Sequence, residues 1–309
     1  MESIVINPVN KDYPVKFIEK IATNQVISKY RDDFNVDISS YFEGLDFVEI
    51  YECIKTKYRF FYPFYIIGDE FFYKDLSSKK INYYHERWEH KIALNYATEG
   101  ENWLEIGSGN SSFLKELSKM GVVATGLEFN REEAAKPDDR KFQVINTDFF
   151  SFSSEDFKYD TIALFQVLEH IQDISLFFKH TRKLLKDEGK LIISVPNNNP
   201  YLYVFEKLHT LNLPPHHMGL WTGDSLAKVG DLFGFKMLHL RFEPLSQYEL
   251  NYILNLPDSD KWSIRYFKFY LLKKVRKILP NTVFNIISYW YRSSLVKGRN
   301  LIIIFQKND

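Results

Sequence analysis

The chain has 309 residues, and its 40 lysines and arginines are balanced by 40 aspartates and glutamates. That length can bury a sizeable core, and the balance provides no global field that would draw nucleic acid as a partner. One cysteine, Cys53, excludes an internal disulfide framework and suits a reducing compartment.

The opening residues, MESIVINPVNKDYPVK, contain no basic segment followed by an apolar run, so no signal peptide is expected. The longest charge-free stretch towards the other end, ILPNTVFNIISYWY, is too short to span a bilayer and is broken by Pro280. The expectation is a soluble, cytoplasmic protein. Aromatic residues make up 17% of the chain, enough to fill a core or to line a pocket.

In chain order, FVEIYEC and YRFFYP read as two short strands of a hairpin-like module. A helix follows in YYHERWEHKIALNYA, where Tyr84, Trp88 and Ile92 recur at four-residue spacing. From about residue 100, strands and helices alternate. NWLEIG is a strand and SSFLKELSKM a helix with Phe113, Leu114 and Leu117 on one face. VVATGLEF is the next strand, and REEAAKP a short helix stopped by Pro137. FQVINTD, YDTIALFQV and GKLIISVP add three strands, with a helix in DISLFFKHTRKLLKDEG that Gly189 is expected to cap. After the polar break NNNPY and the PPHH turn, TGDSLAKVGDLF is a helix opened by Thr222 or Asp224, FKMLHLRFEP a strand, and NLIIIFQK the closing strand.

This alternation predicts an α/β fold with a doubly wound, mostly parallel sheet of seven strands. Residues 1–80 form a small N-terminal α+β module. Residues 81–309 form the main domain, with a helical insertion at about 246–296 before the last strand, packed against the same sheet.

The first strand runs into Glu105-Ile-Gly107-Ser-Gly109. Gly107 lets the chain leave the strand sharply, Gly109 lets a ligand approach the backbone, and the following helix points free N–H groups at the same place. A phosphate-cradling loop would end in Gly-Lys-Ser/Thr, and GSGNSSF has no lysine. A dinucleotide loop asks for a third glycine where this chain has Ser112. E-x-G-x-G instead resembles the first motif of the class I S-adenosylmethionine-dependent methyltransferases, with their Rossmann-like sheet.

The resemblance extends over roughly residues 80–245 and the final strand. It implies S-adenosylmethionine as the cofactor and enzymatic methyl transfer as the activity. By the same resemblance Glu105 organises the turn and helps hold the methionine ammonium, and Glu128 in GLEF accepts the ribose hydroxyls. Asp148 in INTDFF accepts the adenine amino group, or alternatively caps the segment after it. Phe129 and Phe149 either sandwich the adenine or pack in the core. Many relatives carry a third glycine at the next alternate position, where this chain has Ser111.

YECIKTKYRFFYP resembles the cysteine knuckle that precedes some sugar-modifying members of this class, with Thr56 in place of the second cysteine. One cysteine cannot build a tetrahedral zinc site, so a metal-free remnant is expected. Some quinone-type O-methyltransferases that resemble this chain bind a divalent ion through E-x-x-E-H. Here the first acid is Gln166, beside Glu169 and His170. Without that carboxylate no metal is expected, and Gln166 becomes a candidate cofactor contact.

Ligands of such sheets sit beyond the carboxyl ends of the strands. His170, His216 and His217 follow two of those ends and are the candidate catalytic histidines, one of them as base for an acceptor hydroxyl. The preferred acceptor is a sugar or nucleotide-linked sugar of surface polysaccharide biosynthesis, by resemblance of the knuckle and the PPHH loop. A lipid-like or aromatic, quinone-type acceptor is the alternative. Its support is FKFYLLKKVRKIL, residues 267–279, where Phe267, Leu271, Val275 and Ile278 face one way and basic groups another, as in a helix that touches a membrane surface. A non-catalytic cofactor-binding subunit and a hydride-transfer enzyme are the remaining possibilities.

Overall fold

The computed structural model describes residues 5–79, 87–134, 141–153, 158–199, 202, 206–255, 267–280, 282–284, 287–288 and 297–308. Tyr83, Tyr84, His85 and Pro137 lie outside them.

Seven strands form the main sheet: β4 (Asn102–Ile106), β5 (Val123–Leu127), β6 (Gln143–Ile145), β7 (Tyr159–Phe165), β8 (Leu185–Pro196), β10 (Phe235–Pro244) and β11 (Lys297–Lys307). Their spatial order is β10-β11-β8-β7-β4-β5-β6. The pairs β4–β5, β5–β6, β4–β7 and β7–β8 are parallel, whereas β11 runs antiparallel to both β8 and β10. The expected mostly parallel, doubly wound sheet is therefore present. Because β4 leads to β5 on one side and has β7 on the other, the winding reverses between β4 and β7. Ligands of such sheets bind outside the carboxyl ends at that reversal.

Strand side chains alternate between faces, and the sheet divides its apolar residues accordingly. Leu104, Ile106, Ile162, Leu164, Ile193 and Phe305 pack with Phe177 and Phe178 of α6 (Ile174–Leu184) and with Leu226 and Val229 of α7 (Gly223–Leu232). Trp103, Ala163, Phe165, Ile192 and Ile304 face the other way, against Phe113, Leu114 and Leu117 of α4 (Ser112–Lys119) and Ala93 of α3 (Trp88–Leu94). Both faces are covered, which is why these strands read as nearly continuous apolar runs. Thr222 does open α7. Its hydroxyl accepts from Ser225 N–H at 3.1 Å while Ser225 Oγ accepts from Thr222 N–H at 2.9 Å.

The N-terminal sheet is larger than a hairpin. Its order is β1 (Val15–Ala22), β2 (Phe47–Cys53), β3 (Arg59–Tyr62) and β9 (Gly219–Leu220), all antiparallel. The two strands read from the sequence are β2 and β3. Strand β1 and helix α1 (Thr23–Phe34) were not anticipated, and β9 arrives from the segment that follows the PPHH turn. Val26 and Tyr30 of α1, Phe72 and Leu76 of α2 (Glu70–Ser78), and Leu213, Met218 and Leu220 fill this sheet's core.

Three local expectations are corrected. Helix α6 ends at Leu184 without Gly189. Residue 185 already pairs with Tyr159, and Glu188 (φ 59°) takes the left-handed turn instead. Gly189 is needed for space, since a Cβ there would lie 2.8 Å from the Lys186 carbonyl oxygen. Among the described residues the insertion's apolar side chains form a cluster of their own, and α8 (Gln247–Asn255) meets the sheet through the Glu249–Arg299 ion pair at 3.4 Å. Leu250, Ile253 and Leu254 of α8 form that cluster with Leu202, Leu245, Phe284 and Leu272 of α9 (Phe267–Ile278). Docking on α8 also shifts the inward face of α9 to Leu272, Val275 and Leu279, leaving Leu271 and Ile278 exposed. Among the described residues no helix is long and apolar enough to cross a membrane.

Replacing Thr222 with alanine removes the reciprocal cap of α7 and should cost about 1 kcal/mol, read as a lower urea midpoint with an unchanged slope.

Candidate functional site

Strand β4 delivers the chain into the glycine turn at the winding reversal. Gly107 (φ +74°) and Ser108 both donate N–H bonds to the Leu127 carbonyl, at 2.9 and 3.0 Å, which ties the turn to the end of β5. A Cβ on Gly107 would lie 2.7 Å from Val167 Cγ2, so the loop after β7 is packed directly on the turn. Ser111 adopts φ 62°, the left-handed conformation that glycine takes without strain, and the turn keeps its course at the cost of that strain.

The three expected cofactor carboxylates sit at the ends of three adjacent strands. Glu105 is only 4% exposed, and its Oε2 has no hydrogen-bond partner among the described residues. Burial raises its pKa well above the usual range. The Arg87 guanidinium works against that rise, and the Glu128 charge adds to it. Glu128 Oε2 accepts the Gly109 N–H at 2.7 Å and Oε1 the Asn130 N–H at 2.8 Å. Asp148 Oδ1 accepts from the N–H groups of Phe150 and Ser151, at 2.9 and 3.0 Å, which closes the turn; a hydrogen bond with the Ser151 side chain, and then these backbone bonds, lower its pKa against the effect of burial. The two flanking rings have separate surroundings. Phe149 packs in the core against Phe177 and His180, with ring centroids 5.3 and 4.8 Å away, whereas Phe129 is 65% exposed.

The loop after β7 links this turn to a second feature. Gln166 (φ 58°) donates its backbone N–H to the Ser194 carbonyl at 2.9 Å and its side-chain amide to Ser194 Oγ at 3.0 Å. Beyond it, Glu169 and His170 line a cavity of about 210 Å³ together with Gln166, Arg87, His216 and His217. All three candidate histidines meet here, with ring centroids 4.4 to 4.8 Å apart.

Their tautomers follow from their partners. His170 Nδ1 lies 2.6 Å from the His216 carbonyl oxygen and His216 Nδ1 2.8 Å from that of Leu211. A carbonyl has no proton to give, so both Nδ1 atoms donate. Asn198 donates its amide to the Trp221 carbonyl, hence turns its Oδ1 to the Asn212 amide at 2.9 Å. Asn212 therefore presents Oδ1 to His217 Nδ1 at 3.3 Å, and that nitrogen also donates. On each ring the lone pair resides on Nε2. Burial pulls the His170 pKa to about 4 and that of His216 to about 3, and takes His217 well below the usual value. The rings are therefore neutral at physiological pH, and weaker bases than free imidazole.

Several residues of the site were not singled out from the sequence. Tyr73 reaches His170 Nδ1 at 3.0 Å and the His216 carbonyl at 3.3 Å. Glu169 is fully buried, neither carboxylate oxygen has a hydrogen-bond partner among the described residues, and burial lifts its pKa to about 8. His217 Nε2 is 3.9 Å from its Oε1, with the imidazole neutral and the carboxyl protonated. Glu89, also buried, accepts from Ser194 Oγ at 3.3 Å. Arg87 lowers the pKa of all three buried acids, Glu89, Glu105 and Glu169. In the sequence Arg87 and Glu89 are two among several charges of the run YYHERWEHKIALNYA, and nothing local sets them apart.

Gly107→Val places methyls where Val167 already stands and demands a left-handed backbone of a β-branched residue. It should abolish S-adenosylmethionine binding in a calorimetric titration while circular dichroism stays native.

A profile of the methyltransferase-domain family matches residues 81–240. A ubiquinone biosynthesis O-methyltransferase of Pseudomonas syringae pv. tomato is 22% identical over 204 residues, covering 58% of this chain and 84% of that protein. One from Pseudomonas aeruginosa is 20% identical over 196 residues, covering 56% and 79%. Among solved structures, a SAM-dependent methyltransferase from Archaeoglobus fulgidus has a TM-score of 0.48 at 20% identity, over 70% of this chain and 90% of that one. The glycine turn with its buried acid lies inside the matched residues, and the chain belongs to the methyltransferase-domain family as an S-adenosylmethionine-dependent methyltransferase.

Proposed function

We propose that the enzyme methylates a hydroxyl of a small aromatic, quinone-type acceptor held in the histidine-lined cavity. One observation carries this reading. The segment Gln166–His170 rests on the glycine turn through Val167 and forms the cavity wall through Gln166, Glu169 and His170. Cofactor seat and cavity thus share one short loop. The curated relatives, which by name are O-methyltransferases of ubiquinone biosynthesis, support oxygen as the acceptor atom.

When bound, S-adenosylmethionine supplies an already activated methyl group, so the chain's task is chiefly alignment and exclusion of water. Glu105, buried and with Oε2 unpartnered among the described residues, would receive the methionine ammonium, whose charge favours the ionised form of the acid. Glu128 takes the ribose hydroxyls at the end of β5, and Asp148 with the exposed ring of Phe129 takes the adenine. Phe149 supports that rim from the core. Gln166, held by Ser194, lines the cavity one residue before Val167, which rests on the glycine turn. The Nε2 lone pairs of the neutral histidines point the chemistry of the cavity towards a hydroxyl donor.

The sugar reading rests on resemblance of the knuckle and the PPHH loop, and the relatives lend it no support. An acceptor screen reading S-adenosylhomocysteine separates the two. Dihydroxylated aromatic acceptors should be turned over and nucleotide sugars should not; the reverse result would reinstate the sugar. In the same assay, replacing His216 and His217 together with alanine should leave cofactor affinity unchanged and reduce turnover by about 10²–10⁴-fold. Full rate in that variant would remove the histidines from the mechanism.

A further inference from the structure

We propose that His170, His216 and His217 form a binding site for a single divalent transition-metal ion of the zinc type, with one coordination position open to the cavity. One ring nitrogen from each histidine lies within 4.8 Å of the others. The donors come from two separate loops. His170 follows β7, and His216 and His217 lie before β9, so the cluster is assembled by the fold and not by a local run.

Two further observations point to an ion. Each Nδ1 is anchored on an oxygen, the His216 carbonyl, the Leu211 carbonyl or Asn212 Oδ1, which orients the rings and commits Nε2 as the lone-pair nitrogen. Metal-ligating histidines are held in this way, with the second nitrogen donating to a carbonyl or carboxylate. The other observation is Glu169. Its carboxyl is fully buried, neither oxygen has a hydrogen-bond partner among the described residues, and Oε1 lies 3.9 Å from His217 Nε2. An ion at the cluster would place a positive charge within reach of this buried carboxyl, beside that of Arg87 on the same cavity.

Metal–nitrogen bonds of about 2.0–2.1 Å set ligating nitrogens of a tetrahedral site roughly 3.4 Å apart, so binding draws the rings together by on the order of 1 Å and must also turn the stacked rings of His216 and His217, now 20° apart in plane, towards a common point. Imidazole donors select zinc, cobalt or iron over magnesium, which prefers oxygen. This set differs from the acidic E-x-x-E-H pattern, whose first carboxylate is Gln166 here. Three protein ligands leave a fourth position, the arrangement of catalytic sites, and here it opens into the acceptor cavity. Only that last role, contact with the acceptor oxygen, rests on the proposed function. Occupancy of the site is tested without any acceptor.

The test is a titration of chelator-treated full-length protein with Co²⁺, followed by visible absorption. One Co²⁺ per chain should bind with the d–d bands of tetrahedral nitrogen ligation, and Zn²⁺ but not Mg²⁺ should displace it. His216→Ala/His217→Ala and, separately, the milder His170→Gln should lose these bands while retaining S-adenosylmethionine affinity, which shows that the fold persists. Absence of saturable Co²⁺ binding, or bands unchanged in His170→Gln, would overturn the site. Loss of cofactor affinity in the unsubstituted protein would instead count against the methyltransferase reading.

Discussion

The site depends on a short antiparallel contact. Gly219 and Leu220 pair with Phe60 and Arg59, so a segment between β8 and α7 becomes the edge strand of the N-terminal sheet. The same segment is tied to the main sheet, because Met218 donates its N–H to the Glu169 carbonyl at 2.9 Å while its own carbonyl accepts from Phe61 N–H. Tyr58 and Trp221 stack across the junction with centroids 4.0 Å apart. The approach is close enough to require glycine, since a Cβ on residue 219 would meet the Tyr58 hydroxyl at 2.6 Å. His216 and His217 are thereby pressed between the two sheets and onto His170. Without the N-terminal sheet, one wall of the cavity would have nothing to hold it.

Electrostatics explains why the same place can bind charged and polar groups. Three acids, Glu89, Glu105 and Glu169, are buried at or beside the carboxyl ends of β4 and β7, and burial raises the pKa of each. Arg87 opposes the rise at all three and donates to the Phe165 carbonyl at 3.1 Å, which holds it at the end of β7. Burial favours the uncharged form of such acids, and a cation brought beside Glu105 or Glu169 would favour the ionised form instead.

Much of the main sheet was legible in the residues. Strands buried on both faces announce themselves as apolar runs, and turn chemistry placed Gly107 and Gly109 at a sharp bend, which the structure has at the end of β4. The residues left Thr222 and Asp224 open as the start of α7, and the reciprocal bonds with Ser225 decided for Thr222. What escaped depends on distant contacts. Strand β9 has two residues and exists only because β3 offers an edge. Gly189 looked like a helix cap, but strand pairing from Leu185 claimed the chain first. The histidines were each identified, yet nothing in their spacing announced that 170 would join 216 and 217. The carboxyl of Glu169 could not be told from a surface acid until its burial was seen. Local signals found the parts, and long-range packing decided what they met.

If the glycine turn and the histidine-lined cavity are two halves of one active site joined through Gln166–His170, a crystal structure with S-adenosylhomocysteine will show it. The ligand's amino group should lie on Glu105, its ribose on Glu128, and its sulfur should face the cavity beside Gln166. A sulfur directed away from His170, His216 and His217, into a separate pocket, would contradict it.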